Sequence, residues 1–149
     1  MRDSAVRLEQ ALPMMQEALA RGSLVRFMPN GTSMLPMLRQ GVDSVTLSPA
    51  PEKLRKYDLP LYRRDNGQFV IHRIVKAGET YTCVGDNQFA LERGLRRDQM
   101  IALVTSFSRG EKEISVTAPS YRLYCRLWHW SRPIRRRWRA LRGRLRRKR

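Results

Sequence analysis

The sequence predicts a compact, mainly antiparallel β-domain of mixed sheets, with a short helix before it and a basic helical tail after it. Three observations carry this prediction. About seven short strand-like stretches recur between residues 24 and 117. Clusters of Gly, Pro, Asn and Asp separate them at close spacing, as in all-β domains. Apolar residues recur at helical spacing only before residue 20 and after residue 120. A chain of 149 residues suits one domain, and an apolar share of 42% is enough for a packed core.

Leu8, Ala11, Leu12, Met15 and Leu19 share one helical face. Pro13 cuts this pattern and is expected at the first turn of a second helix, where its missing N–H does no harm. Gly22 is the expected stop. Leu24–Met28 reads as a strand running into the turn cluster Pro29-Asn30-Gly31. Ser33–Leu38 is a short, mostly apolar turn or helix. Val45–Leu47 is a strand ended by Ser48-Pro49-Ala50-Pro51, and Lys53–Tyr57 makes a turn.

Leu59–Arg64 and Gln68–Lys76 flank Asp65-Asn66-Gly67, a hairpin signal. In the second of these strands His72 falls on the same face as Val70 and Ile74. Thr80–Val84, Met100–Ser108 and Glu113–Thr117 complete the strands, the last two around Arg109-Gly110. The chain thus divides into an N-terminal helical segment (1–22), a β-domain (23–119) and a tail (120–149) in which Ser131 is a candidate N-cap and Pro133 an interruption.

The net charge is +17, but it is unevenly placed. Residues 122–149 hold 13 Lys/Arg and no acid, leaving 17 Lys/Arg against 13 acids in residues 1–121. In the tail Trp128, Trp130, Trp138, Leu127, Ile134, Leu141 and Leu145 make an apolar stripe among ten basic residues between Arg135 and Arg149. That composition suits a helix lying on an anionic membrane surface through residues 127–149. A solvated extension stays open beside it, and nucleic-acid binding ranks last because the body is only mildly basic. Cys83 and Cys125 offer neither a disulfide framework nor metal-ligand spacing, so no cofactor or metal is expected. No apolar run approaches ~18 residues and no secretory signal is visible. The expected location is the cytoplasm, with peripheral docking at the inner membrane face as an open reading.

Gly31-Thr32-Ser33-Met34-Leu35-Pro36, His72-Arg73 and Gly85-Asp86-Asn87 are the segments that carry chemistry. A serine hydroxyl is a poor nucleophile without a base in reach, and the base needs an orienting group. Ser33 after a glycine turn, His72 in a strand and Asp86 at a strand end supply those three types. Each alone is ordinary: a turn serine, a strand histidine and an Asx turn.

Together the segments Gly31–Leu38, Asp58–Arg64, Val70–Val75 and Val84–Asn87 resemble the boxes of type I signal peptidases and their LexA-like relatives. The bacterial membrane enzymes and the LexA-like proteins carry a lysine base. The archaeal and endoplasmic-reticulum signal peptidases carry histidine in a His-Arg context, as here. The resemblance implies the signal peptidase/LexA-like peptidase fold, with Ser33 as nucleophile, His72 as general base and Asp86 as orienting acid. Thr32, Met34 and Pro36 would contribute the oxyanion or substrate contacts. Glu92 stands where the same branch often has a second acid, although an aspartate would be usual there. The family's Gly-Asp pairs stand here as Gly41-Val42-Asp43 and Tyr57-Asp58, expected to serve turns and strand starts. Gly31 has no side chain to donate to an oxyanion, and the family's N-terminal membrane anchor is not seen in this sequence.

The implied activity is that of a serine endopeptidase acting on a peptide or protein bound as an extended strand. The alternative is a non-catalytic or regulatory LexA-like peptide-binding domain. The segment before the first strand is too short for the DNA-binding domain that such regulators carry.

Overall fold

The computed structural model describes the backbone of residues 2–147 and the side chains of residues 10–147. Leu8, Lys148 and Arg149, named above for the first helix and the tail, have side chains outside these limits.

The first helix, α1, runs from Arg2 to Ala20 without a break at Pro13. A proline inside a helix costs about 3 kcal/mol. Burial of Met15 and Leu19 in the core offsets this, at about 1.5–3 kcal/mol per side chain. The expected second helix is therefore the continuation of the first. Gly22 ends it at φ +77°. Ser23 N–H donates to Ala18 O and Gly22 N–H to Leu19 O, each at 2.9 Å, which is the Schellman arrangement.

Among the described residues nine strands follow: β1 (Val25–Phe27), β2 (Val45–Pro49), β3 (Pro60–Arg63), β4 (Phe69–Ile71), β5 (Arg73–Ala77), β6 (Tyr81–Val84), β7 (Glu92–Leu95), β8 (Met100–Arg109) and β9 (Lys112–Ser115). All pairings are antiparallel. Six strands form one sheet in the order β1-β2-β8-β3-β4, with β9 also on β8. The ten-residue β8 is its spine, pairing with β3 through Met100–Leu103 and with β9 through Ser106–Arg109. Strands β5, β6 and β7 form a second, three-stranded sheet.

The core is in two parts, and β3 lies between them. Leu61 faces a cluster with Met15, Leu19, Leu47 and Val104. Its neighbour Tyr62 faces a second cluster with Ile74, Cys83, Leu95 and Met100. Alternation along the strand sends adjacent side chains to opposite faces, so both faces of β3 are covered.

Two expectations about strands are corrected. The single strand expected over Gln68–Lys76 is divided at His72. Ile71 pairs with Leu61 in the larger sheet, while Arg73 pairs with Val84 in the smaller one. His72 is the corner at which the chain changes sheets. Strand β7 had no sequence signal, because Glu-Arg-Gly-Leu holds one apolar residue and only Leu95 is buried.

The tail forms α2 (Pro119–Trp130) and α3 (Arg132–Arg147). Tyr121 and Cys125 of α2 enter the core, and no residue of α3 is buried. Ser131 does not cap α3 as expected: its hydroxyl donates to Trp128 O at 3.0 Å. Its backbone is helical, so it has not left the helix, as an N-cap must. Trp128 leaves the expected apolar stripe and packs inward. Among the described residues no helix is long and apolar enough to cross a membrane.

Candidate functional site

Ser33 is half-buried in the turn between β1 and β2. Met34, Met37 and Leu38 anchor this turn in the core. The turn is closed by Leu35 N–H to Thr32 O at 3.2 Å and Leu38 N–H to Met34 O at 3.0 Å. Arg109 donates to the carbonyls of Pro36 and Met37. The Met34 side chain, expected at the oxyanion or substrate, is buried in the core. Thr32 and Pro36 are exposed.

The segment Gly85-Asp86-Asn87 lies directly on this turn. Asn87 N–H donates to Ser33 O at 2.8 Å, and Asn87 Nδ2 donates to Thr32 O at 3.1 Å. A Cβ on Gly85 would stand 2.6 Å from Ser33 O and 3.1 Å from Ser33 Cβ. Only glycine permits that approach, so Gly85 serves close packing here.

His72 is 1% exposed, and its Nδ1 lies 3.0 Å from Glu92 Oε1 and 3.2 Å from Tyr62 Oη. A carboxylate only accepts, so Glu92 selects the Nδ1–H tautomer and leaves Nε2 as the basic nitrogen. Nε2 makes no hydrogen bond among the described residues. Burial holds the His72 pKa below its ordinary value, against the opposing pull of the Glu92 charge. Burial also pushes the Glu92 carboxyl up, but hydrogen bonds and charge from Arg64, with help from His72, hold it below its ordinary range. Arg64 Nε donates to Glu92 Oε2 at 2.9 Å, and its Nη2 donates to Oε1. The nearby Cys83 thiol is pushed up to about 12 by burial and then by Glu92, which keeps it protonated at neutral pH.

Asp86 makes a different contact from the one expected. Its carboxylate meets the Arg73 guanidinium in two bonds, Nε to Oδ1 and Nη2 to Oδ2, both 2.8 Å. Tyr124 Oη adds a third at 2.8 Å to Oδ2. Arg73 also donates to Tyr121 Oη at 2.8 Å and to Tyr57 O at 3.3 Å. Asp86 thereby ties the 85–87 segment to β5 and α2, and the carboxylate on His72 is that of Glu92. The physical reason is the adjacent arginine, whose planar fork claims both Asp86 oxygens.

Asp43 and Asp58, named above for turns and strand starts, serve local structure. Asp43 is fully buried and accepts from Arg39 N, Nε and Nη2, each at 2.9 Å, and from Gly110 N at 3.0 Å. The Arg39 side chain holds its carboxyl well below the usual carboxylate range. Asp58 accepts from Arg55 N at 2.7 Å, and burial raises its pKa.

The fold therefore collects these residues where the two sheets meet. Ser33 packs on Gly85, Gly85 follows Val84, and Val84 is the register partner of Arg73, next to His72. No hydrogen bond joins Ser33 Oγ to His72 among the described residues. Tyr62 and Arg64 were not singled out from the sequence. For Tyr62 a signal existed: the hairpin register pairs it with Val70, on the face that His72 shares. Among the described residues no group of three or more His, Cys, Asp or Glu is placed to hold a metal ion.

No protein-family model matches the sequence. No curated protein matches it significantly.

Proposed function

We propose that the chain is a serine endopeptidase resembling the Ser-His signal peptidases, with Ser33 as nucleophile, His72 as general base and Glu92 as the acid that orients His72. The observation that carries this reading is the 3.0 Å contact of Glu92 with His72 Nδ1, which leaves Nε2 free in a corner next to the turn bearing Ser33. Glu92 takes the orienting role first assigned to Asp86. The Nε2 lone pair takes the Ser33 proton as Oγ attacks the scissile carbonyl. The proton passes to the departing amine, and water then releases the acyl group by the same route in reverse. Ser33 N–H, which donates to no described residue, is the group that supplies the oxyanion contact in this reading, with the exposed Thr32 beside it. Catalytic hydrogen bonds are often long without substrate and tighten in the complex, which accommodates the missing Ser33–His72 bond. The substrate is a peptide or protein bound in extended form.

That same missing bond favours a second reading, a non-catalytic or regulatory LexA-like domain that binds peptide without cutting it. A fluorophosphonate probe separates the two. Labelling of wild-type protein that is lost in Ser33→Ala and in His72→Ala is the expected result. No labelling of folded wild-type protein would replace the peptidase reading with the binding one.

A further inference from the structure

We infer that α2 and α3 form a docking surface for an anionic membrane, on an exposed strip that adjoins the face packed on the body. Leu127, Trp130, Ile134, Trp138, Leu141 and Leu145 are each 51–72% exposed. At ~100° per residue they fall within a strip about 80° wide, and the strip is roughly 27 Å long. The helical backbone carries the strip across Ser131, because Ser131 N–H donates to Leu127 O and Arg135 N–H to Ser131 O, both at 2.9 Å.

The inward side of α2 is a different set: Tyr121 and Cys125 are buried, and Trp128 Nε1 donates to Asp86 O at 2.8 Å. The exposed strip is therefore left over after the fold has used its own apolar face. Contiguous exposed apolar surface of this kind marks an interaction site.

Charge chooses the occupant. No acid occurs after Glu113, and Arg126, Arg137 and Arg144 line one border of the strip while Arg142 lines the other. A second copy of the same helix would bring arginines against arginines, with no acid to pair them. Nucleic acid would use the arginines but leave six large apolar side chains in water. An anionic bilayer takes both: the side chains enter the acyl boundary and the guanidinium groups meet the lipid phosphates.

The helix is also coupled to the candidate site. Arg139 donates to Asn87 Oδ1 at 2.9 Å and to Asn87 O at 3.2 Å, and Asn87 N–H donates to Ser33 O. Between α3 and this loop lies an open groove of about 640 Å³, walled by Phe89, Trp138 and Arg142. If Ser33 is the nucleophile, docking holds it beside the membrane surface; that consequence alone rests on the peptidase reading.

Co-sedimentation of the full chain with vesicles tests docking independently of catalysis. The probes are phosphatidylcholine vesicles with and without phosphatidylglycerol. Wild-type protein is expected to partition onto the anionic vesicles and to be released by salt. The triple variant Trp130→Ser, Leu141→Ser, Leu145→Ser should lose partitioning by roughly tenfold or more. All three side chains are exposed and outside the groove, so circular dichroism should be unchanged. A second variant, Arg137→Gln with Arg144→Gln, should weaken binding to anionic vesicles. Partitioning of the triple variant equal to wild type would overturn the inference. So would equal binding to neutral vesicles, wild-type dimerisation in place of vesicle binding, or oligonucleotide binding stronger than vesicle binding.

Discussion

Glu92 Oε1 stands 3.0 Å from Nδ1 of His72, a ring that is 1% exposed. The acid comes from β7, and the register that delivers it pairs Glu92 with Cys83 of β6. Arg64 donates to both oxygens of the carboxylate, so Glu92 has little freedom to leave the imidazole.

Glu92→Gln should lower kcat/KM for peptide hydrolysis by roughly 10²–10⁴-fold, the range for losing an orienting acid. The His72 pKa should fall further, because the Glu92 charge is what opposes burial. Asp86→Asn should behave differently. It leaves Arg73 buried without its counter-charge and should cost about 3–5 kcal/mol of stability, with a smaller movement of the His72 pKa. Histidine-ring NMR titrations and urea melts of both variants distinguish them. Equal movement of the His72 pKa in the two would undo the assignment of roles.

Acid should destabilise the fold in two stages. His72 has its folded pKa below the ordinary value of 6.5, so the unfolded chain takes up its proton first as pH falls. The contribution is complete above the ordinary value and is lost as pH drops through the folded value. Glu92 is also depressed, so its contribution is present above the ordinary carboxylate value of 4.5 and is lost below it. The urea midpoint should therefore fall from about pH 8 to about pH 5, and further at lower pH. In His72→Gln the upper stage should be reduced. Peptidase activity should rise through a midpoint below 6.5, and a midpoint above it would argue against this imidazole as the base.

Gly85→Ala should cost about 1–3 kcal/mol, because the new methyl would meet the backbone oxygen of Ser33 at 2.6 Å. The carbonyl must give way, and Ser33 moves with it. Fluorophosphonate labelling should then slow even where the variant is fully folded. Wild-type stability together with a wild-type labelling rate would show that the two segments are not in contact.

Much of the architecture was legible because it rests on local rules. The Asp65-Asn66-Gly67 turn, the strand that enters it, and the stop at Gly22 each follow from a few adjacent residues. The continuity of α1 through Pro13 was not, since it depends on how much Met15 and Leu19 bury elsewhere in the fold. Strand β7 has no periodicity of its own and exists because β6 offers it an edge. In the tail, composition groups Trp128 with Leu127 and Trp138, but at ~100° per residue it stands more than a quarter-turn from Leu127, on the side that packs against Asp86.

The sequence by itself determined the mainly β class, the terminal helices, the concentration of charge after Arg122, and the candidate chemistry of Ser33 and His72. Only the tertiary structure decided which acid serves which partner. Asp86 and Glu92 are both carboxylates that follow β6, and spacing cannot distinguish them. The change of sheet at His72 turns Arg73 toward Asp86 and the imidazole toward Glu92. Adjacent residues on an extended chain point in different directions, so His72 and Arg73 reach different carboxylates.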